Sequence, residues 1–217
     1  MESKIYEYNG KRIPYIGYMI SLPEGYSEDK KYPLIVALHG AGERGDDVSL
    51  VLVHGVAKYV AAGKKIDAVV VAPQCPKNMV WNALTVELKE LIDHIVSSHS
   101  IDENKVAVTG LSMGGFGTWE MGISYPGFFS ALAPVCGGGM SWRAPLIGKT
   151  PVWAFHGDVD TVVPKENSYM MVDALKAKGG NVRLTVFHGV GHNSWESAYE
   201  ITNVIDWLIS QDRRNNV

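Results

Sequence analysis

Short apolar runs recur along the chain, at residues 34–38, 68–72, 105–109, 129–135, 152–155 and 182–187. Runs this brief and this continuous predict strands buried on both faces of a sheet. Between them lie longer segments with the mixed apolar and polar spacing of helices, over residues 48–62, 84–98, 165–178 and 195–210, and one beginning at Met113. Asp46 or Asp47 can cap the first of these, and Gly179-Gly180 stops the fourth segment in chain order, residues 165–178. Only the opening pair of strands, residues 4–8 and 13–22, follow one another without a helix between them. Strand and helix otherwise alternate. This predicts an α/β fold, a mostly parallel sheet with helices on both faces. Residues 1–217 read as a single domain, with no repeat, linker or low-complexity tract.

In such a sheet ligands bind beyond the carboxyl ends of the strands. Those ends carry the unusual sequence. Residues 105–109 run into Gly110-Leu111-Ser112-Met113-Gly114-Gly115. Strand, tight turn with a central Ser, then helix is the context of the G-x-S-x-G nucleophile elbow. Only glycine or another small residue fits where the chain passes close on either side, and the helix that starts at Met113 turns N–H groups toward the serine.

A serine hydroxyl needs a general base, and the base an orienting carboxylate. The carboxylate candidates after Ser112 are Asp158 and Asp160, in the loop after residues 152–155; Asp173 and Asp206 fall within predicted helices. Asp160 is favoured because it starts the longer excursion from the strand, which leaves Asp158 as a turn residue bonded to nearby N–H groups. The base candidates are His188 and His192, and His192 is favoured because Gly189-Val190-Gly191 can swing it over the sheet edge. His39 and His156 each precede a glycine at a strand end and are expected to bond loop backbone, while His54, His94 and His99 lie on or beside helices. An oxyanion hole would draw on the Met113 N–H and on Ala41, or Gly40 if the loop is shifted by one.

The 217 residues carry 46% hydrophobic and 20% charged side chains and a formal net charge of -3. A slightly acidic chain is a poor match for nucleic acid or an anionic membrane, both of which call for concentrated positive charge. No run reaches the length of a membrane-spanning helix, and the first residues lack the apolar core of a signal peptide. The expected location is therefore the cytoplasm, or outside the cell if a leader has been removed. No H-E-x-x-H pair and no Cys/His spacing suggests a metal. Cys75 and Cys136 are expected to be buried free thiols. The sequence leaves the oligomeric state undetermined.

Five segments together resemble the α/β-hydrolase superfamily: residues 38–45 (LHGAGERG), 72–76 (APQCP), 110–115 (GLSMGG), 156–164 (HGDVDTVVP) and 191–195 (GHNSW). They are most similar to its small phospholipase/carboxylesterase and dienelactone-hydrolase-like group, near the predicted peptidases and the feruloyl and acetyl esterases. The resemblance implies an eight-stranded sheet with antiparallel first strands, Ser112 as nucleophile, Asp160 as acid and His192 as base. It also implies that Gln74, Trp81 and Trp195 line the substrate pocket, the alternative being ordinary packing. Dienelactone hydrolases proper use Cys where Ser112 stands. The implied activity is that of a serine carboxylesterase needing no cofactor. The alternatives are a peptidase or thioesterase on the same three residues, and a non-catalytic binding module on a hydrolase fold. Residues 136–150 are too few for a lid domain. The pocket is therefore expected to be open, with Trp81, Trp142 and Trp195 near it, and to favour short-chain or aromatic-acyl esters, such as acetyl or feruloyl groups on small molecules or plant carbohydrate.

Overall fold

The structure is a computed structural model that describes residues 3–8, as backbone, and 16–216. Among these residues eight strands form one sheet in the order β1-β2-β4-β3-β5-β6-β7-β8. The strands are β1 (Ser3–Tyr8), β2 (Ile16–Ser21), β3 (Tyr32–Leu38), β4 (Val69–Pro73), β5 (Ile101–Leu111), β6 (Ala131–Val135), β7 (Val152–Gly157) and β8 (Val182–Phe187). β2 runs antiparallel to β1 and β4, and the strands from β3 to β8 pair in parallel. The strand expected over residues 13–22 is β2; residues 13–15 lie outside the described residues.

Among the described residues six α-helices cover the sheet: α1 (Gly55–Ala61), α2 (Thr85–Ser98), α3 (Met113–Ser124), α4 (Glu166–Lys176), α5 (Ser194–Ile201) and α6 (Val204–Ser210). Alternate strand residues point to opposite faces, so the central strands feed two cores. One gathers Leu34, Val36, Val106 and Val108 with Leu88, Leu91, Trp119 and Met171 of α2, α3 and α4. The other gathers Ile35, Val70, Ala107 and Phe155 with Val56, Tyr199 and Leu208 of α1, α5 and α6. This is the α/β-hydrolase arrangement, with no lid domain among the described residues.

Two predicted helices are divided. Residues 48–62 form a 3-10 helix, Val48–Leu52, and then α1. Asp47 caps the first piece by accepting the Ser49 N–H. The break falls at His54, which is extended, and Gly55, whose φ is 67°. A Cβ on Gly55 would sit 2.9 Å from Leu111 Cδ2, so the end of β5 occupies the space a straight helix would need. Residues 195–210 divide into α5 and α6 at Thr202, whose hydroxyl donates to Ala198 O and accepts the Val204 N–H. That side chain supplies locally the bonds that a continuous helix would have made. Residues 136–150 hold a short 3-10 helix, Ser141–Ile147.

Candidate active site

Ser112 lies between β5 and α3 with φ 52° and ψ -116°. Among the described residues only Ser112 and Cys136 are non-glycine residues at positive φ. Holding such a conformation costs about 1–3 kcal/mol, which the surrounding structure must supply. Here it comes from close backbone packing. A Cβ on Gly110 would collide with the Gly114 carbonyl, and one on Gly114 with the carbonyl of Leu38. The Ser112 N–H donates to Val135 O at 2.9 Å and toward Cys136 Sγ at 3.3 Å, which fastens the turn to the end of β6.

The structure brings Ser112, His192 and Asp160 together. Ser112 Oγ lies 2.9 Å from His192 Nε2, and His192 Nδ1 lies 2.8 Å from Asp160 Oδ2. A carboxylate only accepts, so Nδ1 carries the hydrogen and Nε2 is left to take the serine proton. Asp160 Oδ1 accepts two backbone N–H groups, from Val162 and Val163, each at 2.9 Å. Burial pushes this carboxyl up, but the hydrogen bonds from His192, Val163 and Val162 outweigh it and hold Asp160 below the usual carboxylate range. Asp158 and His188, the pair set aside on sequence grounds, bond to each other instead. Asp158 Oδ2 lies 2.7 Å from His188 Nδ1 and Oδ1 accepts the Gly189 N–H at 2.7 Å. Its N–H partner is thus in the next loop of the sheet edge rather than in its own turn.

A cavity of about 240 Å³ opens beside Ser112. It is lined by the loop residues Gly40, Ala41, Gly42 and Glu43, by His54, and by Val162, His192 and Trp195. Met113 begins α3 directly after Ser112, and Ala41 begins a 3-10 turn, so both N–H groups belong to elements that start at this cavity. The indole of Trp195 stands edge-on to the His192 ring, centroids 5.5 Å apart and planes at 90°. Cys136, Asp160 and His192 place donor atoms within 4.8 Å of one another. Asp160 and His192 are engaged with each other, however, and burial pushes the Cys136 thiol up to about 12, so it is protonated at neutral pH and a poor metal ligand.

Three of the aromatic and polar positions expected at the pocket lie elsewhere. Gln74 lines a separate cavity of about 340 Å³, with Gly45, Asp46 and Lys77, and its Nε2 donates to Glu43 O at 2.9 Å and Asp47 O at 2.8 Å. Trp81 is fully buried and its Nε1–H donates to His39 O at 2.9 Å. Both therefore brace residues 39–47. Trp142 is 78% exposed in the Ser141–Ile147 helix and lines no part of this cavity. His39 joins the bracing: Nε2 accepts the Cys75 N–H at 2.9 Å, which leaves Nδ1–H to donate to Gly40 O at 2.6 Å. Of the tryptophans named, only Trp195 reaches the cavity. Glu43 and His54, given no role from the sequence, do line it. Their signal was their place: one lies in the loop after β3, the other at the head of α1.

The chain belongs to the phospholipase/carboxylesterase family, whose profile matches residues 67–208. It is 31% identical over 144 residues to poly(3-hydroxyalkanoate) depolymerase C of Paucimonas lemoignei, a match covering 55% of this chain and 33% of that one. A probable feruloyl esterase C of Aspergillus terreus is 27% identical over 171 residues, covering 75% and 62%. Among solved structures, a thermostable esterase superposes with a TM-score of 0.85 at 34% identity, covering 97% of this chain and 63% of that one. The chain thus spans between one third and two thirds of the length of these proteins.

Proposed function

We propose that the protein is a serine carboxylesterase acting through an acyl-enzyme on short-chain or aromatic-acyl esters, of the acetyl or feruloyl kind. The observation that carries this reading is the unbroken hydrogen-bonded path Asp160–His192–Ser112, which ends at the cavity beside Gly40, Ala41 and Gly42. In this scheme His192 Nε2 takes the Ser112 proton as Oγ attacks the ester carbonyl. The N–H groups of Met113 and Ala41 receive the oxyanion, and the N-terminus of α3 favours the same charge. His192 then gives its proton to the departing alcohol. Water repeats the sequence on the acyl-serine, and the acid leaves with Ser112 restored. Asp160 keeps the Nδ1 tautomer and stabilises the imidazolium.

The cavity supports the substrate class. At about 240 Å³ it falls below the roughly 300–1,000 Å³ of pockets that enclose drug-sized ligands. A long acyl chain gains about 0.8 kcal/mol per buried CH₂, and a cavity this small buries few of them. A single planar ring can pack against Trp195. The relatives named as feruloyl esterases support the aromatic-acyl option.

A fluorophosphonate is expected to label Ser112, and Ser112→Ala to lower ester turnover by several orders of magnitude with the fold intact. Across p-nitrophenyl esters from acetyl to dodecanoyl, kcat/KM is expected to fall with chain length, and methyl ferulate is expected to be turned over. A steady rise toward dodecanoyl with no turnover of ferulate would refute the substrate class. Faster cleavage of a peptide anilide than of any ester would turn the reading to a peptidase.

A further inference from the structure

Two histidines, not one, face the same oxygen of Asp160. His192 Nδ1 lies 2.8 Å from Oδ2, and His156 Nε2, near the end of β7, lies 3.3 Å from it. His156 is fully buried. Its Nε2 is also 2.9 Å from Val163 O, so that nitrogen sees only acceptors and carries a hydrogen. The other side of the ring is fixed as well: Nδ1 lies 2.7 Å from Ser168 Oγ of α4, and that hydroxyl reaches Gly137 O at 3.0 Å. The imidazole is therefore held from two sides, by the loop after β7 and by α4, although no step of the ester chemistry needs it.

We propose that His156 is a positioning residue for the relay: its Nε2–H bonds Val163 O and stands 3.3 Å from Asp160 Oδ2, so that the positive end of the N–H faces the oxygen His192 uses and sets how much of the carboxylate charge His192 feels. This rests on the Ser112–His192–Asp160 assignment made above. The orientation of Asp160 does not depend on His156, because the Val162 and Val163 N–H groups hold Oδ1. What His156 controls is charge. A polar N–H beside that oxygen lowers its pull on the His192 imidazolium, the species that must form and then discharge in each half-reaction. The other groups around this carboxylate are neutral or turned away. Cys136 faces it from the end of β6 as a protonated thiol, and Ser168 faces the imidazole from α4. Asp158, in the same loop, is paired outward with His188, and Lys165 donates to the Asp158 carbonyl.

The test is the pH profile of kcat/KM on p-nitrophenyl acetate for the wild type, His156→Leu and His156→Gln, with Ser112→Ala run alongside. Removing the nearby N–H concentrates the carboxylate charge on His192. The acid limb is then expected to move to higher pH by about one unit in His156→Leu, with a lower kcat. Gln can place an N–H where Nε2 stands, so His156→Gln is expected to return the limb toward the wild type. A variant that merely loosens the loop would pull Asp160 away and move the limb down. An unmoved or lowered limb in His156→Leu, or a Gln variant no closer to wild type than Leu, overturns the proposal. Should the Leu variant fail to fold, ¹⁵N spectra of the wild-type histidines decide: Nε2 of His156 is expected to stay protonated from pH 5 to 9, and an unprotonated Nε2 overturns it. Loss of activity in Ser112→Ala with an unmoved limb in His156→Leu defeats only the His156 role. Full activity in Ser112→Ala defeats the assignment beneath it.

Discussion

Asp158 and Asp160 stand two positions apart in one loop, both carboxylates bonded to a histidine and a backbone N–H. Their surroundings separate them. Asp160 is buried beneath the serine's partner, while Asp158 bonds a histidine whose side chain is 99% exposed. Hydrogen bonding by His188, opposed by partial burial, holds Asp158 below the usual carboxylate range, yet this has no route to Ser112. Asp160→Asn is accordingly expected to lower kcat by as much as roughly 10⁴-fold, as loss of the tautomer-fixing carboxylate does in other triads. Asp158→Asn is expected to change kcat by less than about tenfold. Steady-state kinetics of the two variants on one ester check this, and a larger loss at Asp158 would reverse the assignment. The order Ser, Asp, His and the reach of each loop made these three positions readable. Gln74 and Trp81 were not. A polar or aromatic residue at a strand end can face the cavity or brace its wall from behind, and the sequence neighbours are the same in both cases. Only the carbonyls that Gln74 and Trp81 meet decide the matter.

At the scale of elements, the strands were legible because a parallel strand buried on both faces is apolar throughout. Helix boundaries were legible where a cap or a glycine pair marked them, as at Asp47 and Gly179. They failed where a distant element imposed the break. Nothing local in residues 48–62 says that Leu111 will press against Gly55. Gly55→Ala tests that account. The new methyl would meet Leu111 Cδ2 on a backbone with φ 67°, a strain of about 1–3 kcal/mol. At roughly 2–4 °C per kcal/mol for a domain of this size, the melting temperature is expected to fall by several degrees. Because Leu111 precedes the nucleophile, ester turnover is expected to fall with it. A variant that melts with the wild type would show that the break has another cause.

Over the whole molecule, the sheet order decides what the two thiols can do. Cys75 follows β4 and Cys136 follows β6, and β3 and β5 lie between those strands. Both thiols are buried and free. Burial pushes each up to about 12, so at pH 8 only roughly one in 10⁴ is ionised. Folded protein is therefore expected to resist a thiol reagent such as iodoacetamide at pH 8, and protein in guanidinium to take two labels by mass spectrometry. Rapid labelling of the folded state would mean that the strand ends open far more often than their packing suggests.

The same order scatters the candidate relay along the chain. His192 follows Ser112 by 80 residues and Asp160 by 32, and it hangs from the turn after β8, the edge strand of the sheet. A polypeptide emerging from the ribosome therefore presents the nucleophile long before its base. While β8 is still in the exit tunnel, Ser112 sits on its elbow with no partner to take its proton. On the proposed assignment, ester turnover is expected to begin only when the last strand pairs with β7 and brings His192 to Ser112.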